Sequence, residues 1–370
     1  MEAPPKRVLT PTEPKKILSS EGGSYYAWAS SDLCMLAEAK VGAAKLLLNY
    51  RGLALPKYSD SSKVCYVLQG SGVAGILVPE AESERVVKIR KGDAIAVPMG
   101  VISWWFNDNP SEVLEILFLG DTSKAHRSGE FTDFYLMGGS NGLFHGFSKE
   151  FVSRAWDLEE DKVEHLLKSQ SGTGIVKLKE GKSLPTPESQ EEEKDGDKPR
   201  LVFNCEEAEL DVDVKNGGRV VVLTGDYLPM LEQIGLGADL VKLDPAAMCS
   251  PGFSSDSAFQ VTYIARGHGR VQVVGIDGVR VLEVEVKAGF LFIVPRFFVV
   301  SKIAGNEGLE WFSIITTPKP IFCHLAGRTS VWKALSKEIL TASFDVDEEM
   351  EQHFRSKRTQ DAIFFPPPSN

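Results

Sequence analysis

A chain of 370 residues is long enough for two or three domains, each with its own core. Its 43% hydrophobic and 25% charged residues suit a folded globular protein, and a net charge of −10 argues against a nucleic-acid surface, which needs clustered Lys and Arg. No apolar run approaches the roughly 20 residues of a membrane helix, so neither nucleic acid nor membrane is an expected partner.

The chain opens with MEAPPKRVLTPTEPKK, which carries prolines and charges but no apolar h-region. It does not read as a secretory signal, and a cytoplasmic location is expected. The cysteines, Cys34, Cys65, Cys205, Cys249 and Cys323, are odd in number and scattered, without a CxxC pair. They read as reduced, mostly buried thiols. Strand-like segments follow: VCYVLQG, GVAGILV, RVVKIR, DAIAVP and EVLEILFLG, each short, β-branched and bounded by glycine, proline or charge. Asp60 and Asp93 read as surface or turn residues. Trp104, Trp105 and Phe106 read as core and subunit contact. After the strands, Ser148 opens KEFVSRAW, and LEEDKVEHLLKSQ has an apolar stripe with acids early and Lys late, as a helix dipole favours. Residues 184–200 are Pro-rich and acidic, the composition of an exposed linker.

Beyond the linker the pattern starts again. FQVTYIARG, RVQVVG, VRVLEVEV and FLFIVP are strand-like; Ser336 opens KEILTASF, followed by VDEEMEQHFRSK. The correspondence is positional. Gly70 and Gly72 recur as Gly267 and Gly269, and Gly92 and Pro98 as Gly289 and Pro295, all at an offset of 197 residues. Upstream the offset is 195 (Gly22 with Gly217), and downstream it is 188 (Trp156 with Phe344). The chain is therefore one unit written twice. Residues 1–183 form the first unit, 184–200 the linker and 201–370 the second. Many short strands at regular spacing predict a barrel or sandwich in each, with Gly70-Ser-Gly72 and Gly267-His-Gly269 as tight hairpin corners. Each barrel is followed by a helical arm whose apolar stripe needs a partner. The final FFPPPSN reads as an extended strand docking on a barrel or a neighbour.

These glycine and proline spacings resemble the cupin family. Gly92, Pro98, Gly100 and Asn107 match its second motif in the first unit; Gly289 and Pro295 remain in the second. With the helical arms and two-copy layout, the chain resembles a plant legumin-type (11S) seed globulin. It is most similar to the short, non-secreted relatives, because the long Gln- and Arg-rich insert is missing and the processing-site region reads Asn204-Cys-Glu-Glu207. The resemblance implies a mostly β fold: two jelly-roll barrels (double-stranded β-helices), each with a small helical arm. It also implies a homotrimer or hexamer of the chain with itself.

Cupin enzymes hold a transition metal with three His and one carboxylate. On the family's motif, those places hold Pro56, Tyr58, Lys63 and Ser103 in the first unit, and Phe253, Ser255, Gln260 and Val300 in the second. None is His, Asp, Glu or Cys, and Lys63 would repel a divalent cation, so no metal and no cofactor is expected. The six histidines show no i,i+2 or i,i+4 pairing and read as structural or solvent-facing. Three functions remain. The first is a non-catalytic, nutrient-reservoir-type bicupin, although 8 Gln and 8 Asn are few for a nitrogen store. The second is a small-molecule-binding or regulatory cupin with a candidate pocket of Tyr58, Lys63 and Ser103, or of Phe253, Tyr263 and Val300 around an apolar interior. The third, a metal-independent enzyme, ranks below both.

Overall fold

The computed structural model describes residues 9–187 and 200–368. The acidic run of the linker, residues 191–193, lies outside the described residues.

In the first barrel one sheet runs, in spatial order, through Lys15–Ser20, Gly23–Ala27, Val41–Leu48, Leu114–Asp121, Ser62–Gln69 and Asp93–Val97. The facing sheet runs through Asp133–Tyr135, Gly52–Ser59, Ile102–Phe106, Ser71–Leu77 and Arg85–Arg90, with Ile175–Lys177 also paired to Gly52–Ser59. All the pairings are antiparallel, and the inner faces close a jelly roll. The second barrel repeats the plan, but its two longest strands, Gln260–Val274 and Val299–Ile315, run unbroken from one sheet into the other.

Gly70 and Gly267 are not hairpin turns. Ser62–Gln69 and Ser71–Leu77 pair with different partners, so Gly70 is the corner where the chain passes between sheets. Gly267 is the same corner inside a continuous strand with a register shift. Both have positive φ, 78° and 75°. A Cβ at Gly70 would run into the Val113 carbonyl oxygen, and at Gly267 into that of Gly308. The repeat keeps these glycines because the crossing brings two backbones too close for any side chain.

Each barrel borrows an edge from the other half. Val202–Asn204, beyond the linker, pairs with Asp93–Val97 of the first barrel. Thr12, at the start of the chain, exchanges both main-chain hydrogen bonds with Leu291 of the second barrel, at 3.0 and 2.9 Å. Ala94 and Leu291, the two receiving positions, are themselves equivalent at the offset of 197. Asp93 is consequently buried in this seam, 4% exposed, and accepts hydrogen bonds from Arg90 N and Asn204 Nδ2, both at 2.7 Å. Asp93 closes the turn at residues 91–92 but is not at the surface expected for it, because the borrowed strand pairs over it.

Between the barrels Tyr66 stacks on Phe312, with centroids 4.2 Å apart, and Trp28 meets Tyr263 edge-on at 5.9 Å. One continuous cluster of buried apolar side chains runs through both barrels. The tail is anchored as well: Phe364–Phe365 pairs with Met248–Cys249.

The helices are short. α1 (Met35–Ala39) packs on Val41–Leu48, and α4 (Pro229–Ile234) packs on Ser62–Gln69 and Asp93–Val97 of the first barrel. The arms consist of α2 (Lys149–Trp156) and α3 (Glu160–Lys168), then α5 (Val331–Ala334), α6 (Lys337–Phe344) and α7 (Glu348–Ser356). Ser148 caps α2 by accepting from Phe151 N, and Asp347 caps α7 by accepting from Met350 N at 2.8 Å. Asp157 and Asp345 end α2 and α6 in the same left-handed conformation, φ 51° in both.

Candidate functional site

In both barrel interiors polar side chains come together among apolar ones, and the halves fill them differently.

In the first barrel Lys63 and Ser103 line the interior, whereas Tyr58 lies on the opposite face of its strand from its neighbour Lys57. Lys63, 6% exposed, donates to Asp133 Oδ1 at 3.0 Å, and its ammonium lies 4.4 Å from the Phe131 ring centroid. Lys57 holds the other carboxylate oxygen of Asp133. Tyr58 stacks on Phe134 at 4.9 Å. Burial by itself would raise the Asp133 pKa, but Lys57 and Lys63 outweigh it and hold the carboxyl well below the usual range. Burial lowers the Lys63 pKa, against the pull of Asp133. Cys65, beside them, is pushed up to about 12 by burial. Pro56 stays in the strand wall, its carbonyl accepting from Leu136 N at 2.9 Å. With Trp105 and Phe118 meeting edge-on at 5.6 Å, the free space shrinks to about 20 Å³, too little for more than a water molecule. The interior is a filled core in which both lysines are ion-paired to one carboxylate. The sequence reading missed Lys57 and Asp133: the first sits one residue before a counted motif place, and the second arrives on a strand 70 residues beyond Lys63.

The second barrel encloses about 180 Å³. Gln260 and Val300 line it; Phe253, Ser255 and Tyr263 do not. Strand parity explains the three exceptions. Ser254 faces the cavity, donated to by Gln260 Nε2 at 3.0 Å, so its neighbours Phe253 and Ser255 point the other way. Tyr263, three residues after Gln260, likewise faces outward, into the Trp28 contact between the barrels. The candidate pocket of Phe253, Tyr263 and Val300 is therefore corrected to one containing only Val300 of the three.

Residues that sequence reasoning did not select define this cavity: Lys302, Asp239, Trp311 and His324. At the offset of 197 Lys302 stands where Trp105 fills the first barrel, and at 195 Asp239 stands where Ala44 does. That single exchange of indole for ammonium leaves the space open, and aligning the two copies position by position would have revealed it. Lys302 is 4% exposed; its ammonium lies 4.4 Å from the Trp311 ring centroid and makes no ion pair among the described residues. Burial lowers its pKa. Asp239 is partly buried as a residue, yet its Oδ1 is enclosed and has no hydrogen-bond partner. Burial pushes its pKa up to about 6, with Lys302 pulling the other way. His324 Nδ1 is also buried without a partner, and burial lowers that pKa. Among the described residues no group of three or more His, Cys, Asp or Glu could hold a metal ion.

The fold and the repeat define a two-barrel protein of the double-stranded β-helix type. The Cupin family model matches residues 9–164 and again 203–352, and the chain belongs to that family. Over nearly its whole length it is a legumin-type bicupin, non-catalytic and of the nutrient-reservoir kind. An 11S globulin seed storage protein of Sesamum indicum is 26% identical, the alignment covering 97% of this chain and 91% of the relative. One from Anacardium occidentale is 28% identical, over 92% and 88%. The crystal structure of pumpkin seed globulin superposes with a TM-score of 0.89 at 27% identity, covering 99% of this chain and all of that one.

Proposed function

We propose that this bicupin works as a self-assembled scaffold: a homotrimer, able to stack into a hexamer, held together by its helical arms and located in the cytosol. One observation carries the assembly. The arms expose the same apolar positions in both copies, at the offset of 188: Phe147 with Leu335, Phe151 with Ile339, and Trp156 with Phe344. Phe151 is 67% exposed and Ile339 52%. Each arm buries one stripe against its own half through Val152, Val163 or Leu340, and leaves the opposite stripe bare. Contiguous exposed apolar surface on this scale marks an interface. Because the two arms are equivalent but not identical, arm one of one copy fits arm two of the next, a head-to-tail contact that closes into a ring. The five free cysteines support a reducing compartment.

Size-exclusion chromatography with light scattering tests the assembly. The expected mass is about three times 40.6 kDa, or twice that for a hexamer. A clean monomer or dimer at micromolar concentration refutes it. A fluorescent fusion at both termini in turn tests the location.

A further inference from the structure

In the interior of the C-terminal barrel a buried lysine makes no ion pair among the described residues, although Asp239 lines the same space. Lys302 is almost fully buried, lies over Trp311, and has no carboxylate within ion-pair distance among the described residues. An unpaired ammonium out of water is unfavourable, and such charges are normally matched. In the N-terminal barrel, by contrast, both interior ammonium groups are ion-paired, Lys57 and Lys63 sharing the carboxylate of Asp133. In the C-terminal barrel the equivalent places of those lysines hold Ser254 and Gln260, which bond to each other. The cation has moved to the place of an indole, and beside it stands a cavity of about 180 Å³. Two further buried atoms around this space, Asp239 Oδ1 and His324 Nδ1, lack partners.

We propose that this cavity is a binding site for a small organic monocarboxylate. The carboxylate sits on Lys302 Nζ, and a compact apolar body packs against Trp311, Val241, Val300 and Ile315. A single negative charge is favoured for two reasons. There is one ammonium and no guanidinium to hold a phosphate bidentately. Asp239 shares the space and repels a second charge. Asp239 Oδ1 and His324 Nδ1 remain to receive a hydroxyl or amine of the ligand. The size limit follows from the volume: a cavity of about 150 Å³ accepts benzene, so one ring or a short chain fills this one. Ile321, 60% exposed and in the lining, places the mouth at the 320–324 segment.

Isothermal titration of the full-length protein tests the site, with benzoate and hexanoate as probes and benzyl alcohol and inorganic phosphate as comparisons. At least one carboxylate should bind once per chain, about tenfold or more tighter than either comparison. Lys302→Met should weaken that binding by about tenfold or more. Val241→Phe, which keeps the lysine and fills the space, should weaken it similarly, with near-UV circular dichroism confirming that each variant is folded. The proposal is overturned if neither carboxylate binds, if benzyl alcohol or phosphate binds as tightly, or if a folded variant of either kind binds like the wild type.

Discussion

At the level of single residues the two interiors handle buried charge in opposite ways, and their responses to mutation and pH should differ accordingly. Asp133 is indispensable to the first barrel because two ammonium groups depend on it. Asp133→Ala leaves Lys57 and Lys63 without a counter-ion and should cost about 3–5 kcal/mol in urea unfolding, whereas Lys63→Met, which leaves the Lys57 pair in place, should cost less. The folded pKa of Asp133 is depressed, so its contribution is present above the unfolded value of about 4 and is lost only as pH falls toward the folded one. Asp239 has the reverse sign. Its pKa is raised to about 6 in the fold, so the folded state retains a proton that the unfolded chain releases near 4, and stability declines as pH rises between those values. Lys302, His324 and Cys249 are the other titratable groups around this cavity. Asp239→Asn should therefore stabilise the protein by roughly 2 kcal/mol at pH 7.5 and by almost nothing at pH 4. Equal effects at both pH values would contradict the assignment.

At the level of elements, strand existence was legible and strand facing was not. VCYVLQG and FQVTYIARG both appear as strands, Ser62–Gln69 and Gln260–Val274. Their inward positions depend on which sheet receives each face. Lys57 and Gln260 point inward, while Tyr58, Tyr263 and Phe253 do not, since a shift of one residue exchanges the faces. The arm helices were the most readable elements, because capping and charge order are local. Ser148 and the acid-first order of α3 satisfy groups within one turn, whereas Ser336 makes no side-chain cap at α6 and α7 is capped by Asp347, which the sequence does not single out. Their bare stripes lead to a direct prediction. Phe151→Glu or Ile339→Glu should convert the assembly to monomer in light scattering with far-UV circular dichroism unchanged; a surviving trimer would place the contact elsewhere.

At the level of the whole molecule the halves are interlocked rather than strung together. The strand Val202–Asn204 completes the first barrel and Thr12 the second, and Tyr66 on Phe312 seals the contact between them. Residues 201–370 expressed alone would expose Phe312 and Tyr263 and leave the Leu291 edge unpaired, an open strand edge beside apolar surface. That fragment is expected to aggregate or unfold at lower denaturant than the intact chain. Co-expression with residues 1–200 should restore solubility, and an independently soluble, two-state C-terminal half would refute the interlock.

The sequence by itself determined the duplication, the β-rich class, the arms and the identity of every residue at the vacated ligand positions. These are matters of period, spacing and local capping, which a linear chain states directly. The tertiary structure alone decided which side chains share an interior. Asp133 meets Lys63 across 70 residues, and Lys302 joins Asp239 across 63. It also decided which half closes each barrel, because an edge strand pairs with whatever backbone the fold presents. The difference between a filled barrel and a hollow one comes down to Trp105 against Lys302, two residues whose equivalence acquires meaning only when both are seen pointing into their barrels.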